Sequence, residues 1–413
     1  NLARQEASDV SAAAYGDGMP TFGPDYLIPQ PFDPRLLVEV ASATAQAAMD
    51  SGVATRPLDS LDAYRERLSQ YVFRTGLLMK PIFDAAKADP KRVVFAEGEV
   101  ESVLRAVQVL VDDGLAQPIL IGRPDVVSMR IEKAGLRIRA GEDFELVNPE
   151  SDPRFKAYWQ TFYGITKRRG VTPQSAKALV RTRDTIIASL MVYRNEADAL
   201  ICGVVGRYEK KLKYLTEVLG YKEGAQTMGA LSAMTTELGT WFVCDTHVNP
   251  DPTAEQLAEL TLMAAQRVRL FGITPKVALM SHSAFGSHVD PSATKMRQAL
   301  ALIKERAPDL EIEGEMPADL ALMPELRDEV FPDSLLQGSA NLLIMPDQDA
   351  ANIAFNLSRI IGRAVNVSPM LMGVGRPAHV LTPSATVRRI VNMAAIAVVD
   401  AQQYERETGQ PLI

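Results

Sequence analysis

Short apolar runs alternate with helical segments from about residue 81 onward, and this alternation restricts the fold more than any other feature of the chain. Residues 92–96 and 118–121 have the pattern of buried strands, and residues 100–110 between them have the spacing of a helix. Strands joined through a helix pair in parallel, because the helix returns the chain to the same edge of the sheet. Further strands are predicted at 198–203, 241–244, 276–280 and 341–345. The sequence therefore predicts an α/β fold with two successive α/β units.

The C-terminal run beginning at the strand 341–345 contains the loops in which we expect the chemistry to lie. Residues 368–377 include two prolines and two glycines. These residues interrupt both strands and helices, so we expect an irregular loop there. Residues 382–384, Thr-Pro-Ser, then precede a long final helix whose apolar residues are predicted to form one stripe.

Two arginines, Arg388 and Arg389, fall in the first turns of that final helix. The helix dipole favours an anion at this end by about 0.3–1 kcal/mol. The arginines therefore indicate either that a negatively charged ligand binds nearby, or that both side chains are solvated or paired with carboxylates.

Composition excludes several classes of function. The net charge of −7 argues against a nucleic-acid-binding surface. Cys202 and Cys244 both lie in apolar runs, without the spacing of a disulfide framework or a metal site. The sequence shows no membrane-spanning segment and no secretion signal. We therefore expect a cytoplasmic protein that binds no metal, membrane or nucleic acid through this chain.

Several motifs together resemble the signature of the phosphate acetyltransferases. Residues 92–99 resemble the opening strand of that family, and the similarity extends over residues 76–405. In the C-terminal run it is carried by Met345, Pro346, Asp347, Asn352, Ile353, Ser368, Pro369, Met372, Gly373, Arg376, Pro377 and residues 381–384. The resemblance implies two doubly wound α/β domains with a cleft between them. The first would comprise residues 76–222 with 370–413, and the second residues 223–369.

The family's catalytic residues are absent at the matching positions. Its Ser-Arg pair corresponds to Thr382 and Pro383, and its acidic residue at the start of the last helix corresponds to Arg388 or Arg389. By resemblance, the missing arginine would polarise the acyl carbonyl, and the missing acid would accept the proton of the coenzyme A thiol. Proline can perform neither role. We therefore expect no catalytic residue in this chain.

The loop after the strand 198–203 also differs from the family, whose hydroxyl-rich loop binds phosphate. Arg207, Lys210, Lys211 and Lys213 stand in its place, with Lys213 at the position of a family arginine. A lysine lacks the bidentate fork of arginine. These cations either contact the phosphates of a large ligand or lie on an exposed amphipathic helix.

Residues 281–287 match a serine-containing family loop that lines the cleft. Hydroxyl groups and the amides of a following helix suit a phosphate or a pantetheine amide. The residues predicted to bind the ligand are Arg207, Lys210, Lys213, Ser281, Ser283, Gly286, Ser287, Lys295, Arg297, Asp347, Asn352, Arg376, Thr382, Ser384 and Arg388.

Residues 1–75 resemble the C-terminal end of bacterial NADP-dependent malic enzymes, and they are too few to form a hydrophobic core alone. A malic-enzyme tail joined to an acetyltransferase-like module resembles the hybrid malic enzymes. The resemblance implies a mostly helical tail and connector in residues 1–75. It also implies that the chain is a fragment, whose missing catalytic domain would use NADP and a divalent metal, Mg²⁺ or Mn²⁺.

Three functions follow from these resemblances. In the first, the chain is a regulatory module that binds acetyl-CoA and inhibits the malic-enzyme domain of the same polypeptide. In the second it is an active phosphate acetyltransferase, and in the third it is a purely structural oligomerisation module. Family members dimerise through the second domain, and we expect a dimer or a hexamer here. The helix 254–270 and the final helix are the predicted contact surfaces.

Overall fold

The structure, a computed structural model, describes residues 35–72, 74–236, 239–362 and 364–409. The chain separates into two compact units, residues 1–80 with 386–388 and residues 81–385 with 389–413. The predicted tail therefore lies partly outside the described residues.

The described part of the first unit is helical, as predicted. It contains α1 (Arg35–Asp50), α2 (Leu61–Val72) and the beginning of α3 (Arg74–Ala88). On α1, Val38 and Ser42 are buried, whereas Val40 is 55% exposed. The helix therefore has an apolar side chain on its exposed face.

The first sheet of the second unit has five strands, all parallel. They are β1 (Arg92–Phe95), β2 (Gln117–Ile121), β3 (Glu145–Val147), β4 (Ala199–Cys202) and β11 (Ala378–Val380), in the order β11-β4-β1-β2-β3. The accompanying helices are α4 (Glu101–Asp112), α5 (Pro124–Lys133), α6 (Phe155–Thr166), α7 (Pro173–Thr182), α8 (Asp184–Tyr193) and α9 (Tyr208–Leu219). The parallel α/β pattern predicted from the sequence is confirmed.

The second sheet of this unit has six strands and is mixed. They are β5 (Gly229–Thr236), β6 (Gly239–Cys244), β7 (Val277–Met280), β8 (Ile312–Met316), β9 (Leu342–Ile344) and β10 (Val365–Met372), in the order β10-β5-β6-β9-β7-β8. The neighbours β10, β5 and β6 are antiparallel, and the others are parallel. The helices that follow β6 are α10 (Ala254–Leu270), α11 (Pro291–Arg306), α12 (Ala318–Leu322), α13 (Pro324–Val330), α14 (Gln348–Ile361) and α15 (Val387–Thr408).

The prediction that residues 368–377 form an irregular loop is wrong for their first half. Strand β10 continues through Pro369 to Met372. β10 lies at the edge of the sheet. On the open side of an edge strand no neighbouring strand needs an N–H donor, so a proline is tolerated there. Its register with β5 shifts between Val367 and Met370, which accommodates the proline.

The prediction of a single apolar stripe on the final helix is also wrong. Every residue of α15 from Arg389 to Val399 is buried, so the helix is enclosed on all sides. On α10, by contrast, Leu262, Met263 and Leu270 are only partly buried. Between Arg389 and Val399, α15 therefore lacks the exposed apolar surface that we expected it to contribute to a dimer. No helix in the described part of the chain is long and apolar enough to cross a membrane.

A buried ionic group joins α15 to β11 and α10. Asp400 forms an ion pair with Arg267, and its second oxygen lies 3.0 Å from Nε2 of His379. The amide of Leu371 donates to Nδ1 of His379, so the neutral ring carries its proton on Nε2, the nitrogen nearest Asp400. Burial lowers the pKa of His379, and the bond to Asp400 offsets only part of this effect. The neutral ring is therefore the form that the fold selects.

Replacing His379 with glutamine should reduce the loss of stability in mild acid. A histidine whose pKa is lowered by folding contributes its full stability above the unfolded value of 6.5, and this contribution is lost as the pH falls below 6.5. Between neutral pH and mild acid, the wild-type protein should lose about 1 kcal/mol more unfolding free energy than His379→Gln. Denaturant unfolding at both pH values measures this difference. The exposed His282→Gln serves as control, and equal losses in wild type and His379→Gln would contradict the assignment.

Candidate functional site

The loops after β1, β4 and β11 meet at the carboxyl edge of the first sheet, where ligands bind in α/β folds. The amide of Leu381 donates to the carbonyl of Cys202 at 2.6 Å. A Cβ atom at Gly203, whose φ is +97°, would lie 2.4 Å from the Leu381 carbonyl oxygen. This glycine therefore allows the chain at Leu381, just before residues 382–384, to pack directly against the start of the loop 203–207.

A buried carboxylate, Glu97, organises this edge. It accepts the Gly203 N–H at 3.0 Å and the Lys211 ammonium at 2.5 Å, and Lys211 also contacts the Thr185 hydroxyl at 2.9 Å. The Lys211 charge thus neutralises Glu97 inside the fold. Of the four cations that the sequence places on this segment, Lys211 is the one used internally.

The other three cations of the segment are exposed. Arg207 precedes the first turn of α9, and Lys210 and Lys213 lie on the outer face of this helix. Lys213 is 3.9 Å from Glu217, which is a weak surface pair. The structure therefore has the exposed amphipathic helix of the second alternative, and it leaves three charges accessible to an anion.

Tyr208, between these cations, turns inward. Its ring lies 5.0 Å from that of His247, which follows β6 of the second sheet, so loops of both sheets meet at this pair. The Tyr208 hydroxyl is buried, and it has no hydrogen-bond partner among the described residues. Burial raises its pKa well above the ordinary value, so it remains a neutral donor.

The sequence interpretation missed the loop that carries His247. Asp245 is buried and accepts main-chain N–H groups from Ala230, His247 and Asn249 at 2.8–3.0 Å. Thr246 Oγ1 lies 2.8 Å from Nδ1 of His247, and burial lowers the pKa of this ring. The polar segment directly after a buried strand was a sufficient signal to include this loop.

Asn352 lies against the same loop, whereas Asp347 has a local role. Asn352 Nδ2 donates to the Thr246 carbonyl at 3.3 Å. Asp347 is the N-cap of α14 and accepts the Ala350 N–H at 2.8 Å. One of these two predicted residues therefore adjoins the Tyr208–His247 pair, and the other caps a helix.

The predicted loop 281–287 is held by Glu315, a fully buried carboxylate. Its Oε1 accepts from Ser283 at 2.6 Å, Gly286 N–H at 3.0 Å and Arg297 at 2.8 Å. Burial raises the pKa of Glu315, but these three donors outweigh it and hold the pKa below its usual range. The hydroxyl and the guanidinium that we predicted to bind a ligand therefore bind Glu315.

Three further predicted residues near this loop also have internal partners. Ser281 Oγ accepts the Ser283 N–H at 3.1 Å, and Ser287 Oγ accepts the Ala284 N–H at 2.9 Å. Lys295 is 2.6 Å from Asp251. Their donors and acceptors are engaged within the second sheet's half of the unit.

The residues around Pro383 bind one another and anchor their loop. Thr382 and Ser384 bond to each other through their hydroxyls at 3.1 Å. Arg389 is 8% exposed and contacts Ser384 and the Asn366 side chain, both at 3.3 Å. Arg388 is the second residue of α15 and is half-buried. The Arg389 guanidinium therefore anchors the loop within the fold.

Arg376 lies elsewhere. Arg376 precedes β11 and Thr382 follows this strand. The two residues therefore lie beyond opposite ends of β11, roughly 20 Å apart along the strand direction. The Arg376 guanidinium donates to the Asn195 side chain at 2.7 Å and covers the Tyr404 ring at 4.9 Å. The structure thus separates Arg376 from the other predicted residues.

The histidines and cysteines of the described ranges are dispersed or buried. No group of three or more His, Cys, Asp or Glu side chains that could hold a metal occurs there. The rings of His282 and His288 lie 4.9 Å apart and tilted by 59°, and His282 contacts Asp290. Burial raises the pKa of both cysteine thiols, which keeps them protonated.

Comparison with known proteins supports this architecture. The chain is 56% identical to the NADP-dependent malic enzyme of Escherichia coli (strain K12) over 97% of its own length and 53% of that protein. It is 52% identical to an NAD-dependent malic enzyme of Rhizobium meliloti, again over about half of that protein. It thus spans about half the length of these relatives.

A solved structure and a family model agree on the part after the helical tail. A phosphotransacetylase from Streptococcus pyogenes superimposes with a TM-score of 0.75 and 27% identity, covering 80% of this chain and 99% of that one. The family model for phosphate acetyl/butaryl transferase matches residues 77–398. With these matches and the two-sheet fold, the chain belongs to the phosphate acetyl/butaryl transferase family.

Proposed function

We propose that this chain is the acetyl-CoA-binding regulatory part of an NADP-dependent malic enzyme, in which acetyl transfer has been lost. The proposal rests on the buried Tyr208 hydroxyl, which has no partner among the described residues. An unsatisfied buried donor costs about 1–3 kcal/mol, so a ligand oxygen that accepts its proton binds favourably. The thioester carbonyl and the pantetheine amides of acetyl-CoA supply such oxygens.

The charges around Tyr208 suit the other end of the same ligand. Arg207, Lys210 and Lys213 are exposed on the segment that carries Tyr208 inward. Ammonium and guanidinium groups bind phosphates through charge-assisted hydrogen bonds. Arg207 directly precedes the inward-facing Tyr208, so it is the cation placed to meet the phosphates of a ligand whose carbonyl reaches the hydroxyl. Lys210 and Lys213, on the outer face of α9, add a favourable electrostatic field.

The loop after β11 supports the proposed loss of acetyl-transfer activity. Pro383 has no donor that could stabilise a developing oxyanion, and Arg389 is buried against Ser384 and Asn366. Removal of one preorganised donor lowers the rate of acyl transfer by about 10²–10³. A site with this loop retains a ligand without activating its carbonyl.

The relatives supply the metabolic context of the proposal. The other half of such an enzyme would convert malate to pyruvate in the cytoplasm, with NADP and Mg²⁺ or Mn²⁺. Pyruvate is the precursor of acetyl-CoA, so inhibition by acetyl-CoA would be control by a downstream product. Active acetyl transfer is the alternative function. It is suggested by the phosphate acetyltransferase of Corynebacterium glutamicum, which is 29% identical to this chain and is matched over 99% of its length.

Replacing Tyr208 with phenylalanine should weaken acetyl-CoA binding roughly threefold to tenfold without destabilising the ligand-free protein. The variant loses one ligand hydrogen bond, worth about 0.5–1.5 kcal/mol, but no bond within the described fold. Titration calorimetry measures the affinity, and thermal unfolding measures the stability. Tyr214→Phe, on the same helix, is the matched control. Equal affinities in wild type and Tyr208→Phe would place the ligand elsewhere.

Acetyl phosphate formation from acetyl-CoA and phosphate should be at least about 10²-fold slower than in an active phosphotransacetylase, because the oxyanion donor is missing. A coupled assay that detects released coenzyme A measures the rate. Turnover at the speed of the active enzyme would establish the transferase alternative.

Self-association belongs to the same proposal, through α14 rather than the two helices predicted from the sequence. Ile353, Leu357, Ile360 and Ile361 are 54–78% exposed and lie on one face of this helix. A second copy of the chain is the partner that we assign to this stripe, giving a dimer through the second sheet's half of the unit or, with further contacts, a hexamer.

Introducing glutamates at Ile353 and Leu357 together should convert the oligomer into monomers without loss of stability, because both side chains are already solvated in the single chain. Sedimentation velocity measures the mass. Val289→Glu, at a position that is 87% exposed but outside α14, should leave the mass unchanged. An unchanged oligomer in the double variant would contradict the assignment.

A further inference from the structure

The chain passes between the two sheets of the second unit twice, and the two crossings are bonded to each other. One crossing joins α9 to β5, and the other joins β10 to β11. The amide of Lys222 donates to the Gly373 carbonyl at 2.9 Å, and the amide of Gly375 donates to the Gly220 carbonyl at 3.0 Å. A Cβ at Gly375 would lie 2.3 Å from the Leu219 carbonyl oxygen. The crossings therefore form one tightly paired ribbon.

A cavity of about 120 Å³ opens beside this ribbon. Its walls come from α10, from the crossing 373–377 and from α15. It lies next to the residues that precede β11, whereas residues 382–384 follow that strand. The cavity is therefore separate from the candidate site around Tyr208.

The charged groups of this cavity leave one positive charge in excess. Arg267 pairs with Asp400, and Lys222 is 2.8 Å from Glu407. Arg376 has no carboxylate partner in the part of the chain that the structure describes. Its guanidinium is held instead by the neutral Asn195 amide oxygen and by the Tyr404 ring. A half-buried guanidinium fixed by two uncharged groups is oriented to receive an anion.

The rest of the cavity surface determines the kind of anion. Met263, Leu371 and Val374 supply apolar wall, and the side chains of Gln266 and Gln403 also line the cavity. A cavity of about 150 Å³ accommodates a benzene ring of six heavy atoms, so this one holds roughly five or six. One excess charge matches a monoanion better than the dianion of phosphate.

From these observations we infer that the cavity is a binding site for a short-chain monocarboxylate of three or four carbons. The carboxylate pairs with Arg376, and the carbon chain lies against the apolar wall. Because the walls belong to both crossings, α10 and α15, a bound acid contacts the elements that join the two sheets. This site is independent of acetyl-CoA binding, so its failure would leave the proposed function intact.

Propionate is the probe that tests the site. Saturation-transfer NMR on the propionate methyl group, titrated against the full chain, should show saturable binding. Arg376→Gln should weaken it roughly tenfold to a hundredfold, the effect of losing a charge-assisted pair. The propionate affinity of Arg376→Lys should lie between those of the wild type and Arg376→Gln, because lysine retains the charge without the planar fork. Arg139→Gln, the same change at an exposed residue paired with Glu142, should bind like wild type.

Two further arms define the chemistry. Propionamide, which has the same shape without the charge, should not compete with propionate, and inorganic phosphate should compete only weakly. Absence of saturable propionate binding to the wild-type protein would overturn the inference, as would equal binding to a folded Arg376→Gln protein. Stronger displacement by phosphate than by a second carboxylate would overturn the assignment to a carboxylate.

Discussion

A largely buried carboxylate, Asp400, whose side chain is 11% exposed, links elements of the two sheets of the second unit. It lies on α15, 3.0 Å from Nε2 of His379 on β11, and it pairs with Arg267 on α10. Removal of one partner from such a group costs about 3–5 kcal/mol, because the remaining charge stays buried. The group adds little net stability over an apolar substitute, but it fixes the position of β11. The loop of residues 382–384 begins directly after that strand, so the candidate site is built on this contact.

The elements that could be predicted are those specified by local pattern. The strands that contain Val94, Leu200 and Ala278 were evident, because short apolar runs between glycines and prolines form buried parallel strands. The full length of strand β10 was not evident. Pro369 is tolerated because β10 lies at the sheet edge, and this location depends on pairing with β5, which is distant in sequence. The burial of α15 on all sides likewise depends on elements far away in sequence.

The candidate site could be predicted only in part for the same reason. The rule that ligand loops follow strand ends selected residues 203–207 and 382–384, and the structure brings the starts of these two loops together at Gly203 and Leu381. It did not show that Tyr208 would turn inward to His247, which lies 39 positions further along the chain. Nor did it show that Glu315 would bind Ser283 and Arg297. Sequence identifies which side chains are available, whereas the fold decides which of them bind each other.

Exchange of main-chain amide hydrogens with and without acetyl-CoA tests most directly whether this edge is a ligand site. Protection should appear in residues 203–208 and 245–249 and around Ser384, because a ligand bound to Tyr208 contacts loops of both sheets. Protection should be small around Arg376, which lies at the opposite end of strand β11. Unchanged exchange in the first three segments at saturating acetyl-CoA would contradict the account.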